Sequence, residues 1–184
     1  MSKPIVVMFS GKASSGKTAS ADILKSLLEQ RGKKSLNVSM GDRLKHIATQ
    51  YLGWNGEKDE KGRQLLQSLG TEKFRMRNPN FWTDSVLDMI EVFEDDFDYI
   101  LIDDIRYQNE ITAFEERAYR AITIRVVRPC FDNGLTKEQK LHSSEVALDE
   151  FCFDVKISAT DLLGLKEEIE NKVLRPVLWM DSSL

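Results

Sequence analysis

Cysteine is scarce in this chain: 184 residues hold only Cys130 and Cys152. With no C-x-x-C spacing and no partner cluster, the pair excludes a zinc site and reads as reduced, cytosolic thiols, so a cytoplasmic location is expected. Histidine is as rare, and His142 has no second histidine near it, which argues against a histidine-based metal centre. Long apolar runs are missing as well. The N-terminal run 5–9 is too short for a signal-peptide core, and nothing approaches a membrane span. Positive charge is not in excess: 26 Lys and Arg face 30 Asp and Glu, for a net charge of −4. That balance argues against a general grip on a nucleic-acid backbone and points to a small partner. Internal repeats and low-complexity tracts are absent from the sequence, and its length suits one α/β domain spanning 1–184.

Against these absences stands one strong motif. The run GKASSGKT, from Gly11 to Thr18, fits G-x-x-x-x-G-K-[ST] at every fixed position. Gly11 and Gly16 let the backbone turn so that successive N–H groups, including those of Ala13, Ser14 and Ser15, point at an anion. The loop opens onto a helix whose unpaired N–H groups favour phosphate oxygens. In such a loop Lys17 reaches the β- and γ-phosphates of a nucleotide and the Thr18 hydroxyl holds Mg²⁺.

The surrounding pattern places that loop. The run 5–9 is continuous, as in a strand buried on both faces of a parallel sheet. Ala21, Leu24, Leu27 and Leu28 recur at helical spacing up to Gly32, and a strand is expected over 35–40. Helices are expected from Asp42 (Leu44, Ile47, Ala48, Tyr51), over 61–69, and through Val86, Ile90 and Phe93. Strands follow over 99–102, 121–127 and 151–157, with helices through Ile111 and Phe114 and through Leu162, Leu165, Ile169 and Val173. The alternation predicts a parallel α/β sheet with right-handed crossovers. Two stretches interrupt it, 42–96 with several helices and the polar 129–150, and such insertions sit where ligands bind. The tail 176–184, carrying Trp179, has two readings: it packs on the core or on a partner subunit.

The candidate chemistry gathers at these positions. Asp103 ends a strand where an acid would hold Mg²⁺ with Thr18. Asp104 and Arg106, two apart, project to one side of an extended strand end, either to bind substrate or as a surface ion pair. Arg43, Lys45, Arg63, Arg75 and Arg77 form a basic set in the first insertion. Arg63 shares a helix face with Gln67 and Gly70. Trp82 is either core or a flank for a base. Lys137, Lys140, His142 and Glu145 lie in the second insertion, which has the look of a lid; for His142 and Glu145 a loop-fixing role stands beside a substrate role. Arg128, at the hinge into that segment, is a candidate for neutralising transferred charge.

The order of these parts resembles the nucleoside monophosphate kinase group. The runs RQLLQSLGTE (63–72) with Phe81 and Trp82, DDIRYQNE (103–110), VVRP (126–129) and HSSE (142–145) are similar to the bacteriophage-type deoxynucleoside monophosphate kinases in order and spacing. The resemblance implies a three-layer α/β/α P-loop kinase fold with a five-stranded parallel sheet, a helical acceptor-binding insertion over 42–96 and a lid over 129–150. It implies transfer of the ATP γ-phosphoryl group to a deoxynucleoside monophosphate, with Mg²⁺, in a homodimer that supplies phage DNA precursors. The acceptor set it implies comprises Arg63, Gly70, Thr71, Trp82, Asp104, Arg106 and Glu110, with Lys12 near the acceptor phosphate; Asp42, Lys45 and Gln67 join them as substrate-binding candidates of the first insertion. Lys17, Arg106 and Arg128 would neutralise charge while Asp104 orients the acceptor. Some members carry Asp after the loop lysine; here Thr18 holds the ordinary position. Two alternatives are weighed beside this one. A dephospho-coenzyme A or shikimate kinase would lack the RQLLQSLGT and DDIR pairing. A guanine-nucleotide switch would need N-K-x-D, and Asn171-Lys172 continues into Val173-Leu174 instead.

Overall fold

The computed structural model describes residues 3–182. Five strands, β1 (Ile5–Ser10), β2 (Ser35–Ser39), β3 (Tyr99–Ile105), β4 (Ala121–Val127) and β5 (Val155–Ser158), form one parallel sheet in the order β2-β3-β1-β4-β5. The helices are α1 (Lys17–Glu29), α2 (Asp42–Leu52), α3 (Glu60–Gln67), α4 (Phe81–Phe93), α5 (Gln108–Glu116), α6 (Lys137–Leu141), α7 (Ser143–Val146), α8 (Leu162–Ile169) and α9 (Arg175–Ser182). π-Helical turns over Ser68–Arg75 and Glu170–Leu174 extend α3 and α8.

The all-apolar β1 builds both layers at once. Its side chains alternate across the sheet, so Ile5, Val7 and Phe9 pack with Leu24 and Leu28 of α1, Leu165 and Ile169 of α8 and Val177 of α9. Val6 and Met8 pack on the other face with Leu87 and Ile90 of α4 and Ile111 and Phe114 of α5. The result is a three-layer α/β/α sandwich. A smaller cluster, Ala48, Trp54 and Leu69 with Leu44, Leu65 and Phe74, holds α2, α3 and the π-helical turn together above the sheet.

The chain leaves β1 toward β2 and leaves β3 toward β4, on the opposite side of β1. The loops after β1 and β3 therefore diverge, which opens a crevice at the carboxyl ends of these neighbouring strands.

Two expectations are corrected. The fifth strand begins at Val155 and not at Phe151, because Asp154 replaces the backbone ladder with its side chain. Its carboxylate accepts from the Thr123 N–H (2.8 Å) and hydroxyl (2.7 Å), while Phe151 and Phe153 stack at 4.8 Å against the sheet. Third-strand pairing extends to Ile105, but with a bulge: Met8 pairs with Ile102 and Ser10 with Ile105, which leaves one extra residue on β3.

The tail packs on its own core. Val177 is fully buried, the Arg120 guanidinium donates to the Met180 carbonyl (2.5 Å) and Lys33 pairs with Asp181 (2.6 Å). Residues 183 and 184 lie outside the described residues. Deleting 177–184 is expected to cost about 2–4 kcal/mol, from the buried Val177 and the lost anchors, read as a lower urea midpoint. An unchanged midpoint would contradict this docking.

Candidate active site

The loop 11–16 leaves β1 at the crevice and closes tightly on the sheet. A Cβ on Gly11 would stand 2.4 Å from the Val126 carbonyl oxygen, so only glycine fits, and Gly16, at φ 101°, begins α1 in a left-handed conformation. Lys17 is folded back over this loop, donating to the carbonyls of Gly11 (3.0 Å) and Lys12 (2.9 Å) and lying 3.3 Å from Asp104. Burial lowers its pKa to about 8, against the opposing pull of Asp104.

Asp103 and Asp104 sit at the bulge of β3. Asp104 adopts φ 68°, a conformation that a β-strand residue holds only where its surroundings impose it. It is the bulge, rather than plain alternation, that turns Asp104 to meet Arg106, whose Nε donates to it at 2.6 Å. Burial alone would raise the Asp104 pKa, but Arg106 and Lys17 outweigh it and hold the carboxyl well below the usual carboxylate range. Arg106 is pushed the other way: burial would lower it, and Asp104 and Glu145 more than compensate.

The Thr18 hydroxyl donates to one oxygen of Asp103 (2.5 Å), and the other Asp103 oxygen is buried with no hydrogen-bond partner among the described residues. A hydroxyl beside a carboxylate with a spare oxygen fits a hard cation that draws its remaining ligands from water and phosphate. No group of three or more metal-ligating side chains occurs among the described residues, so a closed protein cage is not what this is.

A cavity of about 460 Å³ connects the loop and these acids to the insertion. Ala13, Ser14, Ser15, Gly16, Lys17 and Thr18 form its floor, and Lys45, Arg63, Gln67, Gly70, Thr71 and Trp82 line the opposite wall. Trp82 is part of the wall's framework, 2% exposed, with its ring against Phe74 and Phe81 and its Nε1 donating to the Gly70 carbonyl (3.0 Å). Glu110 is fully buried and accepts from the backbone N–H of Arg106 (2.6 Å) and Tyr107 (3.1 Å) and from Arg75 (2.5 Å). Glu110→Ala is expected to destabilise by about 3–5 kcal/mol, because it strands Arg75 without its counter-ion, as measured by urea unfolding. A loss below about 1 kcal/mol would contradict that role.

Other candidates fall elsewhere. Asp42 is exposed and bonded to Lys45 (2.8 Å), outside this cavity. Lys12 grips Asp149 (2.6 Å) and, with Arg128, lines a second cavity of about 460 Å³ beside the loop. Arg128 is exposed there, 3.8 Å from the Phe131 ring centre. In the 129–150 segment Lys137 is exposed and His142 caps α7 by bonding Ser144. Glu145 does reach the site, accepting from the Ala13 N–H (2.9 Å) and Arg106 (2.6 Å).

Arg75 and Tyr107 are lining residues that no motif singles out, although Arg75 belongs to the basic set. Arg75 lies over the Tyr107 ring at 4.3 Å, and one of its terminal nitrogens is buried with no partner among the described residues. The π-helical turn carries it there: a turn wider than 3.6 residues breaks the α-periodicity from which its facing would be read.

A parallel sheet with this strand order, a phosphate loop at the end of β1 and an aspartate at the end of β3 beside the loop threonine define a P-loop kinase. Solved structures share that fold. The APS kinase CysC of Mycobacterium tuberculosis, in complex with AMPPNP and APS, matches with a TM-score of 0.55 at 13% identity over 97% of this chain and 99% of that one. TT1252 from Thermus thermophilus matches with a TM-score of 0.55 at 16% identity over 97% and 98%. Among the curated proteins nothing matches. The model of the family described as deoxynucleotide monophosphate kinase matches residues 27–169, and the chain belongs to that family. The matched span holds both insertions and the DDIR run, while the phosphate loop lies outside it and stands on its own geometry. No helix among the described residues is long and apolar enough to cross a membrane.

Proposed function

We propose that this nucleotide kinase transfers the γ-phosphoryl group of ATP to the 5′-phosphate of a deoxynucleoside monophosphate, giving the diphosphate and ADP. The observation that carries the proposal is one cavity lined by the phosphate loop and by Arg63 and Arg75, with Arg106 between them on the Asp104 oxygen that Lys17 also approaches. A site built to bring two phosphates together suits phosphoryl transfer between them. Family membership supports the deoxynucleotide as acceptor.

The acceptor phosphate is anionic at neutral pH, so it attacks without a strong general base. Asp104, ionised and held by Arg106 and Lys17, orients those cations rather than taking a proton. Lys17 leaves the Gly11 and Lys12 carbonyls to meet the donor phosphates, and the arginines neutralise the acceptor. We assign Thr18 and Asp103 to Mg²⁺, which when bound would neutralise charge on the donor phosphates.

The test is ADP release from Mg²⁺-ATP with each deoxynucleoside and ribonucleoside monophosphate in turn, with shikimate, dephospho-coenzyme A and adenylyl sulfate as controls. Stimulation by one or more deoxynucleotides is expected. Stimulation by a control alone would replace the acceptor assignment.

A further inference from the structure

One carboxylate takes up two of the cavity's anion-binding donors. Glu145, with its side chain 7% exposed, uses one oxygen to accept from the Ala13 N–H of the phosphate loop (2.9 Å) and the other to accept from Arg106 (2.6 Å). One donor belongs to the phosphate loop and the other to Arg106, which follows β3 and shares Asp104 with Lys17. Two of the three nitrogens of Arg106 are engaged here: its Nε is held by Asp104 (2.6 Å), and the terminal nitrogen bonded to Glu145 also donates to the Ser144 carbonyl (3.2 Å), which leaves the second terminal nitrogen as its remaining donor.

The segment that carries Glu145 is fastened to the phosphate loop and to the stretch that follows β3. Lys12 of the loop donates to the Glu145 carbonyl (2.7 Å) and pairs with Asp149 (2.6 Å), while the hydroxyls of Tyr107 and Ser143 bond at 2.9 Å. The carboxylate is therefore placed, not incidental.

We infer that Glu145 is an internal stand-in for substrate phosphate whose displacement couples donor binding to acceptor binding. The inference rests on the kinase reading above. A phosphate arriving at Ala13 meets a buried charge of its own sign and has to expel it. Once Glu145 has left, Arg106 is released for the acceptor; an acceptor that captures Arg106 first likewise frees the Ala13 N–H for the donor. The cost of moving Glu145 is met once for two ligands. Each substrate consequently binds more tightly when the other is present, and by linkage the factor is the same in both directions.

The experiment is calorimetric titration of AMPPNP with Mg²⁺, and of each of the four deoxynucleoside monophosphates, separately and in the presence of the other ligand. It compares the intact chain with Glu145→Gln, which keeps the volume and removes the charge. In the intact chain each ligand is expected to tighten the other by about fivefold or more. In Glu145→Gln each binds alone about three- to tenfold more tightly and the mutual effect falls below about twofold. Glu145→Ala, which also removes the hydrogen bonds, must shift both affinities in the same direction, with thermal melts confirming the fold. Unchanged or weaker separate affinities, or coupling that survives in both variants, would overturn the inference and make Glu145 an ordinary anchor. If no monophosphate binds any of the proteins, the acceptor reading fails, while tighter AMPPNP binding by Glu145→Gln would still support Glu145 as the phosphate stand-in.

Discussion

Lys17→Ala is expected to lower kcat by on the order of a thousandfold or more, whichever monophosphate is offered. Lys17 is 7% exposed and is the ammonium that the loop itself supplies at its floor. It bridges the carbonyls of Gly11 and Lys12 and the Asp104 carboxylate, so its removal leaves Asp104 with Arg106 as its remaining close cation. The loss should fall on kcat, because charge grows on the bridging oxygen only as the bond breaks. Steady-state kinetics with a melt to confirm folding would check this. Retention of more than about a tenth of the wild-type kcat would remove Lys17 from the transfer step.

Arg106→Ala is the second large effect, and its signature differs. The acceptor KM should rise, or kcat fall, so that kcat/KM for the acceptor drops by about a hundredfold or more, well beyond any change in ATP affinity that passes through the shared Glu145 contact. Arg106 lies between Asp104 and Glu145, and its guanidinium reaches the phosphate loop only through these two carboxylates. Wild-type acceptor kinetics in this variant would end its assignment. Arg106→Lys is expected to restore little, because an ammonium cannot bond Asp104 and a phosphate in one plane.

Much of this architecture is written in local patterns. The unbroken apolar run of β1, the glycines of the loop and the helical spacing of α1 each demand one conformation, so the parallel sheet and the loop are legible from the residues, while the three layers follow from the family resemblance. The motif also finds Thr18 and Asp103, which the fold brings to 2.5 Å although they are far apart in sequence. What the sequence hides is geometry that breaks a period. The bulge in β3 gives Asp104 its left-handed backbone, and the π-helical turn after Gln67 brings Arg75 to the cavity; neither departure has a residue signature of its own. Side-chain substitutes for backbone pairing are equally invisible, as Asp154 shows by shortening β5. Long-range ion pairs explain the remaining differences. Lys12 is drawn off the floor by Asp149, Arg128 lies beside Phe131, and Glu145 rather than Lys137 reaches the loop, all through contacts that no spacing rule reads.

On the proposed function, one cavity brings together a nucleoside triphosphate and a deoxynucleoside monophosphate. Phosphorus NMR of the intact chain incubated with Mg²⁺-ATP and a mixture of the four deoxynucleoside monophosphates reads the outcome directly. The account predicts loss of at least one monophosphate resonance, growth of the paired α and β signals of its diphosphate, and ADP in equal amount. Inorganic phosphate and ADP with every monophosphate intact would contradict it, leaving a phosphate loop that hydrolyses its nucleotide and an acceptor wall built for another substrate.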